Sequence, residues 1–267
     1  VDGILLCDKP AGITSHDVVA GVRRRLGRGV KVGHAGTLDP FATGLLIVLV
    51  GRGTRTQRFF MALEKRYETV ARFGAVSSTG DRDGEIVATG VVPEGDLDLP
   101  VGPLMQRPPA YSAVKVGGRR AYALARAGEA VELAERPVEV RRFEETWRSG
   151  DRRGFVIECS SGTYVRSLIA DLGDAYCDEL RRTRIGAFDI ADADPERLVD
   201  LGEALAAFMP EWRLGADDAL RARHGVAVVG EGDGVVRLTD AEGLIALAEP
   251  GREPGTLKPV VGLRPAS

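Results

Sequence analysis

The stretch Gly33-His34-Ala35-Gly36-Thr37-Leu38-Asp39-Pro40-Phe41-Ala42-Thr43-Gly44-Leu45-Leu46-Ile47-Val48-Leu49-Val50 runs up to Gly51 and sets the terms for the rest of the chain. Gly33 and Gly36 permit tight or left-handed backbone, and Pro40 biases Asp39 away from helix toward an extended conformation. The apolar run Leu45 to Val50 reads as a strand covered on both faces, or as a short buried helix, which periodicity alone does not separate. Asp39 is therefore displayed on a stiff loop. A carboxylate on such a mount suits catalysis, but Asp beside Gly and Pro is equally at home as the cap of a turn.

At 267 residues the chain accommodates one large domain and a small one. No apolar run approaches the ~18 residues of a membrane span, and Val1-Asp2-Gly3-Ile4-Leu5-Leu6-Cys7 lacks the basic start of a signal peptide, so a cytoplasmic protein is the default expectation. Cys7, Cys159 and Cys177 are odd in number and never spaced as metal pairs, which fits buried thiols rather than disulfides or zinc. His16, His34 and His224 are too scattered to nominate a metal cluster, and no Walker-type loop is present.

The net charge of −3 argues against a nucleic-acid partner, but its distribution argues the other way. Residues 1 to 80 carry 12 Lys and Arg against 6 Asp and Glu, whereas residues 189 to 253 carry 6 against 15. Segregated positive charge grips phosphates whatever the global sum, although a solvated basic helix face is the commoner origin of such runs.

Working outward, Ile4 to Cys7 is a short strand. Thr14-Ser15 offers the N-cap of a helix with Val18, Val19, Val22 and Leu26 on one face and Arg23, Arg24 and Arg25 opposite. Thr54 to Leu63 reads as a second helix. Tyr67, Thr69, Ala71 and Phe73 alternate with Glu68, Val70 and Arg72, the period-two pattern of a half-buried strand. Asp81-Arg82-Asp83-Gly84 lacks the remaining ligands of a calcium loop and reads as a turn. Phe155, Ile157 and Cys159 form a strand, and Ser160-Ser161-Gly162-Thr163 turns into a helix beginning near Tyr164. Arg166 in its first turn opposes the helix dipole and needs solvent or a carboxylate to face. Asp194 to Met209 reads as a further helix. Beyond Trp212 the composition turns acidic and Gly-rich with short β runs, Val226 to Val229, Val235 to Leu238 and Leu244 to Ala248, which suggests a small separate β domain.

The segment GHAGTLDPFATGLL resembles the active-site signature of the TruB family, the synthases that make pseudouridine in the T-loop of transfer RNA, at position 55. Asp8-Lys9-Pro10-Ala11-Gly12-Ile13-Thr14-Ser15 is similar to that family's opening motif. Pro108-Pro109-Ala110-Tyr111-Ser112-Ala113-Val114-Lys115 with Arg119-Arg120-Ala121-Tyr122 is similar to its RNA-gripping insertion. Cys159 to Leu168 and Leu180 to Gly186 follow in the family's order. Between Asp174 and Leu180 the chain is several residues shorter than the family's pattern. The resemblance implies an α/β fold of the α+β type: a mixed, mainly antiparallel sheet with flanking helices over residues 1–210, then a PUA-like RNA-binding module over residues 211–267.

The resemblance also implies roles. Asp39 becomes the catalytic carboxylate, acting on the uracil ring or at the ribose. Arg166 becomes the cation that keeps it ionised, and Tyr67 the ring that packs on the uracil. His34 would stack in the space vacated by a flipped nucleotide, Tyr164 and Leu180 would line the pocket, and Lys9, Lys115, Arg119 and Arg120 would contact RNA. The isomerisation is redox-neutral and transfers nothing from outside, so no cofactor and no metal are expected. The expected partner is the T-arm of tRNA, met by a monomer. Two other readings stand beside this one: a non-catalytic protein that holds or remodels tRNA, and a glycosidase pairing Asp39 with Glu68 or Glu64.

Overall fold

The computed structural model describes residues 2–109, 115, 116, 119, 120 and 133–265. The elements run β1 (Gly3–Lys9), α1 (Ser15–Leu26), β2 (Val32–His34), β3 (Thr43–Val50), a 3-10 turn Gly51–Thr56, α2 (Gln57–Ala62) and β4 (Lys65–Phe73). Next come the hairpin β5 (Ala75–Ser77) and β6 (Ile86–Ala88), β7 (Gly102–Gln106), the ribbon β8 (Lys115–Val116) and β9 (Arg119–Arg120), β10 (Arg136–Ser149) and β11 (Arg152–Cys159). Then follow α3 (Val165–Ala170), β12 (Ala175–Ile185), β13 (Phe188–Asp189), β14 (Asp194–Asp200) and α4 (Leu201–Ala206). The chain finishes with β15 (Glu211–Arg213), α5 (Ala216–Arg223), β16 (Val228–Val229), β17 (Val236–Asp240), β18 (Gly243–Pro250) and β19 (Thr256–Gly262).

Ten strands form one sheet in the order β14-β1-β3-β12-β4-β11-β10-β7, with β13 on β12 and β2 on β3. Every pairing in it is antiparallel except β12 on β3, so the sheet is mixed and mainly antiparallel, as expected. Leu45 to Val50 are all fully buried, which decides for a strand covered on both faces. One face of β1 and β3 is covered by α1, through Val19 and Val22 against Leu5, Leu46 and Val48. The other meets Phe60 of α2, Leu201 and Leu205 of α4, and Leu247 of β18. Burial of this kind stabilises by roughly 1.5–3 kcal/mol per large aliphatic side chain. Helix α1 starts where the sequence marks it, with Thr14 and Asp17 forming a reciprocal capping box. The second sheet, β15-β17-β18-β19-β16, carries α5 and an apolar core of its own, yet Leu247 and Leu263 also join the core beneath β1 and β3.

Two expected helices differ. Asp194 to Met209 is strand β14 followed by the short α4, because Gly3 and Ile4 of β1 pair with Asp200 and Val199 and extend the sheet by one strand. Asp194 accepts from the Glu196 and Arg197 amides, a turn that imitates a helix cap, while the cap itself is Asp200, bonded to the Gly202 and Glu203 amides. Thr54 to Leu63 begins as the 3-10 turn and becomes α-helical only from Gln57.

Candidate active site

The loop between β2 and β3 is stiff for a specific reason: the residues on both sides of Asp39 are fastened. Ser15, buried at the start of α1, accepts the Leu38 amide at 2.9 Å and donates to the Leu38 carbonyl at 3.3 Å. On the other side the Pro40 carbonyl accepts from the Gly12 amide at 2.8 Å and from Lys9 Nζ at 3.3 Å. Lys9 is 0% exposed and also donates to the Pro10 and Ile13 carbonyls. Its charge therefore does not reach the surface: the residue expected to contact RNA instead pins the loop beside Asp39.

Asp39 opens into a cavity of about 340 Å³ that is also lined by Tyr67, Tyr164, Arg166, Leu180 and Arg182. That volume lies in the range of ~300–1,000 Å³ in which small ligands are held. A larger cavity of about 580 Å³ lies along Glu68, Val70 and Val156, residues that alternate with the core-facing positions of β4 and β11 and belong to the other side of those strands. The Asp39 cavity is the one that gathers the candidate chemistry.

Arg166 Nε stands 2.9 Å from Asp39 Oδ2, and Nη1 stands 3.2 Å from Asp81 Oδ2 while donating to the Thr79 carbonyl at 2.6 Å. The Arg166 side chain is 3% exposed against 34% for Asp39, so the cation is enclosed and the carboxylate faces the opening. Burial pushes the Asp39 carboxyl above its usual range, Arg166 pulls it back, and Asp81 pushes it up further. Asp81 is held in turn by Thr79 Oγ1 at 2.6 Å and by the Asp83 amide at 3.1 Å. The sequence showed Asp81 only as part of a turn; its partner lies far along the chain.

Tyr67 stands third in β4, opposite Arg182 of β12, whose guanidinium acts on its phenol. Burial raises the Tyr67 phenol above its ordinary value, which keeps it protonated. Arg182, 2% exposed, donates to the Leu45 carbonyl at 2.8 Å and to the Gly36 carbonyl at 3.1 Å, tying β12 to the loop of Asp39. Leu180 is buried on the cavity wall, and Tyr164 lies half-buried under the Arg136 guanidinium, 4.9 Å from ring centroid to carbon. Lys65, also on the wall, is depressed to about 8 by burial. Sequence reasoning missed Asp81, Arg136 and Lys65; Arg182 lay within the Leu180 to Gly186 motif without a role.

His34 ends β2 outside the cavity lining, its carbonyl accepting from Gln57 at 2.7 Å and its ring edge-on to His16 at 5.2 Å and 81°. Lys115 pairs with Arg120, and Val116 with Arg119, in the β8–β9 ribbon. Tyr111 and Tyr122 lie outside the described residues. Glu64 pairs with Arg141, and exposed Glu68 sits on the far side of β4, so neither accompanies Asp39 as a glycosidase would require. The three cysteines are free and buried, with thiols pushed up to about 11 for Cys7 and Cys159 and about 12 for Cys177. Among the described residues no helix is long and apolar enough to cross a membrane, and no group of three or more His, Cys, Asp or Glu is placed to hold a metal ion.

Residues 23–165 match the sequence model of the TruB family pseudouridylate synthase N-terminal domain. A tRNA pseudouridine synthase B from Mycobacterium sp. (strain KMS) is 43% identical, the match covering 99% of this chain and 97% of that protein. One of the same name from Thermobifida fusca is also 43% identical, covering 97% and 98%. Among solved structures, one chain of a Cbf5-Nop10-Gar1 complex superposes with a TM-score of 0.72 at 24% identity, over 99% of this chain and 85% of that one, which bears on the fold alone. A full-length match at such identity, with the family model spanning the loop of Asp39 through to Val165, places the chain in the TruB family of pseudouridylate synthases.

Proposed function

We propose that this protein isomerises a uridine in the T-loop of tRNA, at position 55, to pseudouridine, with Asp39 as the catalytic carboxylate. The reaction breaks the N1 to C1′ bond of the nucleotide, turns the uracil, joins C5 to C1′, and moves a proton from C5 so that N1 ends protonated. It needs an anionic group beside the sugar and ring, and a pocket that retains the free base. The observation that carries the reading is the pair formed by Asp39 and Arg166: a carboxylate facing a cavity, kept ionisable by an enclosed guanidinium at 2.9 Å. A carboxylate that faces a cavity with its pKa set by burial and an enclosed cation fits a catalytic role better than a purely RNA-holding one.

Tyr67 offers the flat wall against which the uracil packs, beside Arg182 on the cavity lining. Leu180 and Tyr164 exclude water from the base. A uridine in a folded loop reaches Asp39 only after flipping out, at a cost of a few kcal/mol of stacking. His34, at the end of β2, supplies a planar ring for the vacated space, and Lys115, Arg119 and Arg120 supply phosphate contacts. The region from residue 211 onward serves as a second RNA-binding module.

Incubating the protein with an unmodified T-arm hairpin and digesting the RNA to nucleosides tests this. Pseudouridine at the single expected position supports the reading. Tight hairpin binding with no pseudouridine would replace it with the tRNA-holding alternative.

A further inference from the structure

The wall of the cavity opposite the Asp39 loop is the segment Ser160 to Arg166, whose first half is held by Ser160 on Glu139 and by Thr163 on the Ser160 carbonyl, whereas the start of its helix has no side-chain cap. Helix α3 has six residues, and its N-cap, Tyr164, has no side-chain cap bond. Its support comes from another strand. Gln106, the last residue of β7 and 2% exposed, donates from Nε2 to the Tyr164 carbonyl at 3.0 Å and accepts the Tyr164 amide on Oε1 at 2.8 Å. One side chain bonds both backbone groups of Tyr164, as a neighbouring β-strand would, the carbonyl also taking the Leu168 amide at 3.2 Å, and those groups dictate which end of the amide points where. Arg136, the cross-strand partner of Gln106, adds its guanidinium over the Tyr164 ring and a bond to the Gly162 carbonyl at 2.7 Å.

We infer that Gln106 is a positioning residue for the reaction: by fixing the backbone of Tyr164 it sets where α3 begins, and so where Arg166, two residues on, meets Asp39. The inference rests on the reading of Asp39 and Arg166 as the working pair. Removing the amide leaves the half-buried Tyr164 N–H without its partner and the C=O with only the helical bond from the Leu168 amide at 3.2 Å. The segment then relaxes to find other partners, and Arg166 moves with it. A displacement of ~1 Å at a catalytic group costs on the order of 10²-fold in rate. The basic ribbon of β8 and β9 is untouched, so the loss falls on turnover and not on RNA affinity.

The test measures single-turnover rates at saturating enzyme, together with hairpin binding, for Gln106→Ala and Gln106→Glu. Gln106→Ala should lose roughly 10²-fold in rate while its Kd stays within about threefold of wild type. Gln106→Glu keeps the acceptor for the Tyr164 amide, but its ionised form turns an oxygen toward the Tyr164 carbonyl, and only the protonated carboxyl regains a donor. Its charged neighbours in sequence and register are Arg107, itself paired with Glu135, and Arg136. The rate of Gln106→Glu relative to wild type should therefore rise as pH falls, a dependence that a merely structural loss would not produce. Should Gln106→Ala fail to fold, the isosteric Gln106→Glu carries the test alone. Amide exchange at Tyr164, faster in Gln106→Ala, reads the clamp without reference to turnover. Wild-type enzyme that forms no pseudouridine removes the functional reading. Active wild type with an equally active Gln106→Ala, or a Gln106→Glu ratio flat in pH, overturns this inference alone.

Discussion

Asp81 Oδ2 lies 3.2 Å from Arg166 Nη1, so the cation that faces Asp39 is already engaged by a second carboxylate, on the turn between β5 and β6. Asp81 is 5% exposed and Arg166 3%, which makes this a buried pair, and truncating Asp81 leaves Arg166 with Asp39 as its remaining counter-charge. Breaking such a pair from one side costs about 3–5 kcal/mol when the remaining charge is left alone, and less where, as here, a second carboxylate still faces it. Asp81→Asn keeps the shape and the bond from Thr79 but frees Arg166 to turn wholly toward Asp39. The expected result is a lower melting temperature and a rate reduced by about one to two orders of magnitude, with hairpin affinity unchanged. A wild-type rate in a folded Asp81→Asn protein would show that Asp39 alone orients the arginine.

Asp39→Asn preserves size and removes the anionic oxygen. Turnover should vanish while the hairpin still binds, because the groups proposed to grip phosphates lie elsewhere. Residual pseudouridine formation in a preparation free of wild-type enzyme would falsify the assignment of Asp39.

The pH dependence follows from the same burial. Asp39 sits above its ordinary value of 3.8 because desolvation outweighs Arg166, and its working form is ionised, so the single-turnover rate should fall on acidification through an apparent pKa above 3.8. Replacing Arg166 by Met removes the group that lowers that pKa and should move the acid limb to higher pH. Stability runs the opposite way. A folded-state pKa raised above the unfolded one means that the native protein binds the extra proton, so this contribution is full below the unfolded value and is lost as pH rises through the folded one. The melting temperature of Asp39→Asn relative to wild type should therefore climb as pH rises from about 4. A relative stability that declines over that rise would contradict the assigned direction.

What the sequence disclosed depended on how local the cause was. Strand β3 and the alternating strand β4 were legible because burial on two faces, or on one, writes itself into consecutive residues. The capping box at Thr14 was legible in the same way. Strand β14 was not, since Asp194 satisfies amides just as a helix cap does, and only the pairing with distant β1 makes an extended chain there preferable. Lys9 illustrates the same limit: nothing in Asp8-Lys9-Pro10 announces that three carbonyls will enclose the ammonium. Asp81, Gln106 and Arg136 do their work across the fold, on Arg166 and Tyr164, and residues that act through a remote partner leave no mark in their own neighbourhood.

Gly44 marks where β3 and β12 press together at the base of the site. Its φ is +106°, and a Cβ there would stand 2.2 Å from the Arg182 carbonyl oxygen and 2.7 Å from the Arg182 amide, both backbone atoms with no side-chain freedom to yield. Gly44→Ala should thus cost at least about 2 kcal/mol through combined strain and collision, and should displace Arg182 from the Gly36 carbonyl. Chemical denaturation against the wild type reads the first effect, and a lower turnover number at retained fold reads the second. A variant of unchanged stability would mean that β12 shifts freely against β3.

The salt dependence of RNA binding separates a local basic surface from the unfavourable net charge of −3. Lys115, Arg119 and Arg120 occupy a two-stranded ribbon in the insertion between β7 and β10, away from the acidic C-terminal sheet in sequence and in strand pairing. If these residues neutralise phosphates, removing each ionic interaction should reduce the slope of log affinity against log salt by about 0.7 to 0.9. Arg119→Ala combined with Arg120→Ala should therefore weaken hairpin binding most at low salt and flatten the slope at the same time. The rate for already-bound RNA should stay close to wild type, because the proposed chemistry belongs to Asp39, Arg166 and Tyr67. Measuring Kd at several ionic strengths, with single-turnover rates at saturating enzyme, separates the two effects. A double variant that binds with unchanged affinity and slope would show that the ribbon is a solvated face and that the phosphates are held elsewhere.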